Sequence, residues 1–128
     1  MLPILVYSIL FVLVDYIYLS YISKPFGSMI KKIQGSEMTF KLVPAIVVYF
    51  SLVGAWYFFI YKDLENNSKR QNIIRAALLG FFIYSVYDFT NLAIITDYRV
   101  DLAIIDSLWG GTLYALTTGI FIYLREFM

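Results

Sequence analysis

The chain has 128 residues, 61% hydrophobic and 20% aromatic, with a net charge of +1 and a mean hydropathy of +0.75. Ordinary soluble domains are about 45–50% apolar, so a soluble fold is excluded, and the near-zero charge gives no basis for nucleic-acid binding. Cys and His are both absent, which removes disulfides, thiolate nucleophiles, Cys/His zinc sites and imidazole proton relays.

The first apolar run covers about residues 3–22. It has no basic leader and no small-residue cleavage site behind it, so it reads as a retained transmembrane helix rather than a signal peptide. Residues 23–40 follow, with Phe26, Met29, Ile30 and Ile33 at helical spacing opposite Lys31 and Lys32. Two readings stay open: an interfacial helix over about 26–36, or an amphipathic loop.

The second run covers about 42–61, and residues 62–72 form a charged turn after it. The third covers about 73–95, a tight connection occupies 96–101, and the fourth covers about 102–124. Each run approaches the ~20 residues needed to cross a ~30 Å hydrocarbon core. Backbone groups in lipid must be satisfied internally, and these runs do not alternate as barrel strands do, so helices are expected. The fold class is all-α, a single four-helix transmembrane bundle over 1–128, multi-pass, with the lipid bilayer as its partner and no nucleic acid. Lys62, Lys69, Arg70, Arg75 and Arg125 fall on one side, and Lys24, Lys31, Lys32, Lys41 and Arg99 on the other. The balance is equal, so the positive-inside rule assigns no direction. The side with the first and third connections is called side B and the opposite one side A.

Three carboxylates lie within the apolar runs: Asp15, Asp88 and Asp106. Counting 1.5 Å per residue from the expected side-B helix ends puts all three on the order of 8–10 Å inside that boundary. An ionised Asp facing lipid costs at least about 2.5–3.5 kcal/mol, so all three are expected to turn inward. Three carboxylates in one apolar enclosure cannot all ionise freely without a compensating cation. Around Asp88, Tyr84, Ser85 and Asn91 share its helix face; around Asp106, Trp109 and Gly110 do; around Asp15, Tyr18 does. The candidate ligand- or ion-binding set is therefore Asp15, Asp88, Asp106, Asn91, Tyr84, Trp109 and Tyr18. No catalytic role, metal or cofactor is assigned by these residues, and a three-Asp site is unspecific by itself.

The segments "YDFTNLAI" and "IDSLWGG" carry a resemblance. The chain resembles a family of short four-helix membrane proteins catalogued as domain of unknown function 2177. That family's pattern is Y-D-x-T-N-L-A in the third helix and D-x-x-W-G in the fourth. Tyr87, Asp88, Thr90, Asn91, Leu92 and Ala93 match the former, and Asp106, Trp109 and Gly110 the latter. Asp15 matches an Asp of the first helix, but Tyr18 stands where the family usually has Trp. The resemblance implies a four-helix membrane fold and supplies no reaction.

Three functions fit these residues. One is a transport- or channel-like protein binding protons, a cation or a polar ligand at the aspartates; four short helices leave little room for a pore, which implies a homo-oligomer. Another is a membrane-embedded enzyme or binding protein for a lipid or isoprenoid, with paired carboxyls as acid and base. The third is a structural scaffold, cellular or viral, in which the aspartates join helices by hydrogen bonds.

Overall fold

The computed structural model describes residues 1–128. Four helices follow one another, α1 (Leu2–Gln34), α2 (Leu42–Phe59), α3 (Lys69–Ile94) and α4 (Val100–Leu124), and there is no strand. The apolar runs become helices because only intra-segment hydrogen bonds satisfy the backbone away from water. α1, α3 and the Leu42–Asn66 segment that begins with α2 are long and apolar enough to cross a membrane. α4 is the central helix, and Asp106, Ser107, Gly110, Gly111, Thr117 and Thr118 are all buried in it. Its 25 residues nearly equal the 26 of α3, against which it lies antiparallel. Large apolar side chains such as Phe50, Val86 and Ile94 stand outward, where lipid replaces water as their surroundings.

Glycine sets the closest approach. A Cβ on Gly80 of α3 would run into the Gly110 carbonyl of α4, and one on Gly111 would sit 3.1 Å from the Ala77 carbonyl oxygen. The small residues let the two backbones touch, the usual way to gain packing between helices in lipid.

α1 lies antiparallel to α4 on its other side, in a fixed register. Tyr7 bonds Thr117, Asp15 accepts from Trp109, and Tyr18 donates to Asp106. Each advance along α1 is matched by an equal retreat along α4. α2 runs parallel to α4: the Leu52 carbonyl accepts from Tyr114, and one turn on Trp56 donates to Thr118.

Two boundaries differ from the sequence expectation. α1 does not stop at Ile22 but continues through Pro25 to Gln34, so the segment left open between an interfacial helix and a loop forms its last turns. Proline costs a backbone bond inside a helix, and tertiary contacts offset it. Met29 is buried with Tyr98, Leu102 and Ala103, and the Phe26 ring meets Tyr98 edge-on. The helix ends where Gly35 adopts φ 75°, its N–H bonding the Lys31 carbonyl at 2.9 Å. At 33 residues α1 is about 50 Å long, more than the hydrocarbon core requires. The charged turn also holds more structure than expected. Tyr61–Asn66 form a 3-10 helix, and α3 starts at Lys69, because Ser68 and Gln71 make a reciprocal capping box.

Candidate functional site

Asp15, on α1, is buried and doubly satisfied. The Tyr49 hydroxyl of α2 donates to Oδ2 at 2.5 Å and the Trp109 indole of α4 to Oδ1 at 2.9 Å. One carboxylate thus clasps three helices. Trp109 also stacks on Tyr18, with ring centroids 4.5 Å apart and planes 6° from parallel. The stack fixes Tyr18, whose hydroxyl donates to Asp106 Oδ1 at 2.9 Å.

Asp88, on α3, is fully buried. Its Oδ1 accepts from Tyr98 at 2.8 Å, while its Oδ2 has no partner in a hydrogen bond of ordinary donor geometry. The Asp106 side chain is a neighbour of Asp88. Two ionised carboxylates are both pure acceptors and cannot bond to one another; a proton on either makes the bond. One turn back on the same face, Ser85 Oγ is buried without a partner as well. Tyr98 belongs to the connection before α4. Burial pushes its phenol above its ordinary range, donation to Asp88 reinforcing this and Asn91 opposing it, so the hydroxyl stays a donor.

Asp106 is the middle member. It faces Asp88, and it is near enough to Asp15 to interact through its charge. It also lines a cavity of about 220 Å³ with Tyr18, Ile22, Phe26, Met38 and Tyr87. That cavity lies between α1, the 35–41 connection, α3 and α4, toward side B.

The seven sequence candidates thus have different places. Asp15, Tyr18, Trp109, Asp106 and Asp88 form one chain of contacts across α1, α4 and α3. Asn91 is half-buried beside the Tyr87 and Tyr98 hydroxyls, at the side-B edge of that chain. Tyr84 packs its ring over Gly110 and makes no hydrogen bond to any of the aspartates. No three acidic side chains come close enough together to hold a metal ion.

Sequence reasoning named one hydroxyl donor, Tyr18, and missed the other two. Tyr49 and Tyr98 were two tyrosines among twelve, with no local pattern to single them out. It also missed a second polar layer, two turns toward side A. There Tyr7 stacks on Trp56 with centroids 3.5 Å apart, Tyr7 bonds Thr117 at 2.8 Å, and Trp56 donates to Thr118 at 3.0 Å. Tyr7, Trp56, Thr117, Thr118 and Phe121 are all fully buried. This layer closes the bundle between the aspartates and side A.

Among known proteins, the sequence model of one family, described as "Predicted membrane protein (DUF2177)", matches residues 1–123. No curated protein and no solved structure matches the chain significantly.

Proposed function

Because this chain belongs to the DUF2177 family of predicted membrane proteins, we propose for it a function inside the bilayer: a transport-like protein whose Asp88–Asp106 pair binds a proton and exchanges it for a cation or the cationic end of a polar ligand. One observation carries the reading. Asp88 Oδ2 is buried without a donor, and the neighbouring Asp106 lines a cavity toward side B. A proton held between the two carboxyls satisfies both; its release leaves two charges side by side, which attract a cation. Asp15, with both oxygens bonded, acts differently: it holds Trp109 and through the stack positions Tyr18 against Asp106. The closed layer around Tyr7 and Trp56 means that passage to side A requires α1 or α2 to move.

The test is infrared spectroscopy on the full chain in liposomes, with Asp88→Asn, Asp106→Asn and Asp15→Asn variants. A protonated-carboxyl band that moves in deuterium oxide is expected in the wild type and in Asp15→Asn. It is expected to disappear in each of the other two. The same liposomes, loaded with a pH-sensitive dye and given a sodium or potassium gradient, should show proton movement that Asp88→Asn abolishes. Absence of the band defeats the shared proton, and absence of flux with the band present defeats transport.

A second reading has its own support. Ile22, Phe26 and Met38 give the cavity apolar walls, which suits the binding or turnover of a lipid or isoprenoid whose polar end meets Asp106. A scaffold role is supported mainly by Asp15, whose bonding is complete within the bundle.

A further inference from the structure

A second concavity lies on the other face of α1, away from the Asp88–Asp106 pair. It runs between α1 and α2, has a volume of about 570 Å³, and is lined almost wholly by apolar groups, among them Ile4, Val12, Leu42, Ile46, Val53 and Tyr57. That volume lies within the range of small-molecule sites. From Leu42 to Tyr57 the groove follows α2 for about 22 Å, more than one leaflet's half of a ~30 Å hydrocarbon core. Small residues create it. Ser8 and Ala45 line it, and the missing side chain of Gly54 faces open space, with nothing within 4 Å of where a Cβ would stand. Toward side B it meets a further concavity of about 460 Å³, which shares Val12, Phe40 and Tyr49 with it and adds the hydroxyls of Tyr16, Ser20 and Ser23. The groove is therefore apolar along its length, with a few hydroxyls at one end.

The charges at that end are also uneven. Of the five basic residues on side B, Lys31, Lys32 and Arg99 are paired with Glu37, Asp97 and Asp101. Lys24 and Lys41 have no carboxylate partner, and they are the two beside the groove. Lys24 is one turn beyond Ser20 on the same helix face, and Lys41 stands between the groove residues Phe40 and Leu42.

We propose that the α1–α2 groove is a binding site for an anionic phospholipid of the surrounding bilayer, with one acyl chain along Leu42–Tyr57 and its phosphate at Lys24 and Lys41. The site is independent of the proton pair, and Tyr49 joins it to the Asp15 clasp. It lines the groove and donates to Asp15, so a seated chain packs against the residue that holds the carboxylate clasp.

The experiment uses the full chain in phosphatidylcholine bilayers with trace spin-labelled phosphatidylglycerol or phosphatidylcholine, read as the motionally restricted fraction in electron spin resonance. Phosphatidylglycerol is expected to be retained over phosphatidylcholine, and the preference is expected to fall roughly fivefold for each lysine removed in Lys24→Gln and Lys41→Gln. Gly54→Leu fills the groove from its open wall and is expected to lower the restricted fraction of both lipids. Helical circular dichroism checks its fold, while the lysine variants change only exposed positions and test the proposal without it. Equal retention of the two lipids by the wild type overturns the proposal. So does a preference that survives loss of both lysines, or preferential capture of a spin-labelled free fatty acid over phosphatidylglycerol.

Discussion

Gly80→Ala is expected to destabilise the bundle and to open the Asp88–Asp106 pair, although Gly80 touches neither residue. The added Cβ would lie 2.8 Å from the Gly110 carbonyl carbon and 2.5 Å from the Tyr114 ring, with the Gly110 carbonyl oxygen closer still. The obstacle is backbone on a packed helix, so it cannot swing aside as a side-chain end can; α3 and α4 must separate. Overpacking of this kind costs about 1–3 kcal/mol. The separation is transmitted along two stiff helices. Asp88 lies two turns from Gly80, about 12 Å along α3, and Asp106 one turn from Gly110. A shift of about 1 Å there takes the carboxyls beyond the 2.5–3.0 Å range of an O–H···O bond. Gly54→Ala is the matched control, because nothing stands within 4 Å of its Cβ. It removes a glycine from a helix interior and is expected to be neutral or stabilising by up to about 1 kcal/mol. Reversible unfolding in mixed micelles measures both, and the carboxyl infrared band reports the pair. If Gly80→Ala were as stable as Gly54→Ala, the close contact between α3 and α4 would be wrong, and with it the account of what holds the carboxyls together.

Three further outcomes follow from single contacts. Trp109→Phe keeps an aromatic ring against Tyr18 but loses the 2.9 Å indole bond to Asp15. A cost of about 1.5–3 kcal/mol is expected for a bond to a charged group, and a double-mutant cycle with Asp15→Leu, which has no acceptor, should show it as coupling; additivity would refute the bond. Ser68→Ala removes the capping box at the start of α3, and an expected loss of about 0.5–2 kcal/mol should appear as faster amide exchange at Lys69–Asn72. Arg99 bonds Asp101 at 2.6 and 3.0 Å and holds its carboxyl below the ordinary 3.8. A lowered native pKa contributes stability that is present above the unfolded value and lost as pH falls through the native one. Both groups are exposed, so the contribution is small and screened. A carboxyl titration by NMR should place Asp101 low in the wild type and move it up toward the ordinary value in Arg99→Gln, where the Leu102 N–H bond remains.

The number of helices and their membrane length were legible in the sequence because hydropathy and run length are local quantities, and a chain in lipid has few other ways to satisfy its backbone. The inward turn of Asp15, Asp88 and Asp106 was legible for a similar reason, since the penalty of facing lipid belongs to each residue by itself. What the three do was not legible. Equal depth made them look alike, whereas the bundle gives Asp15 two donors, Asp106 a cavity and Asp88 an orphaned oxygen. Those differences depend on which helix lies beside which and in what register. The Gly80–Gly110 contact and the stack of Tyr18 on Trp109 set that register between residues far apart in the chain. The same holds for α1. Residues 23–40 left an interfacial helix and a loop both open, and only the packing of Phe26 and Met29 against Tyr98 carries the helix onward to Gly35. Local free energies of solvation determined where the helices and the buried carboxylates are; contacts between distant segments decided which carboxylate is held, which faces a cavity and which keeps an oxygen without a donor.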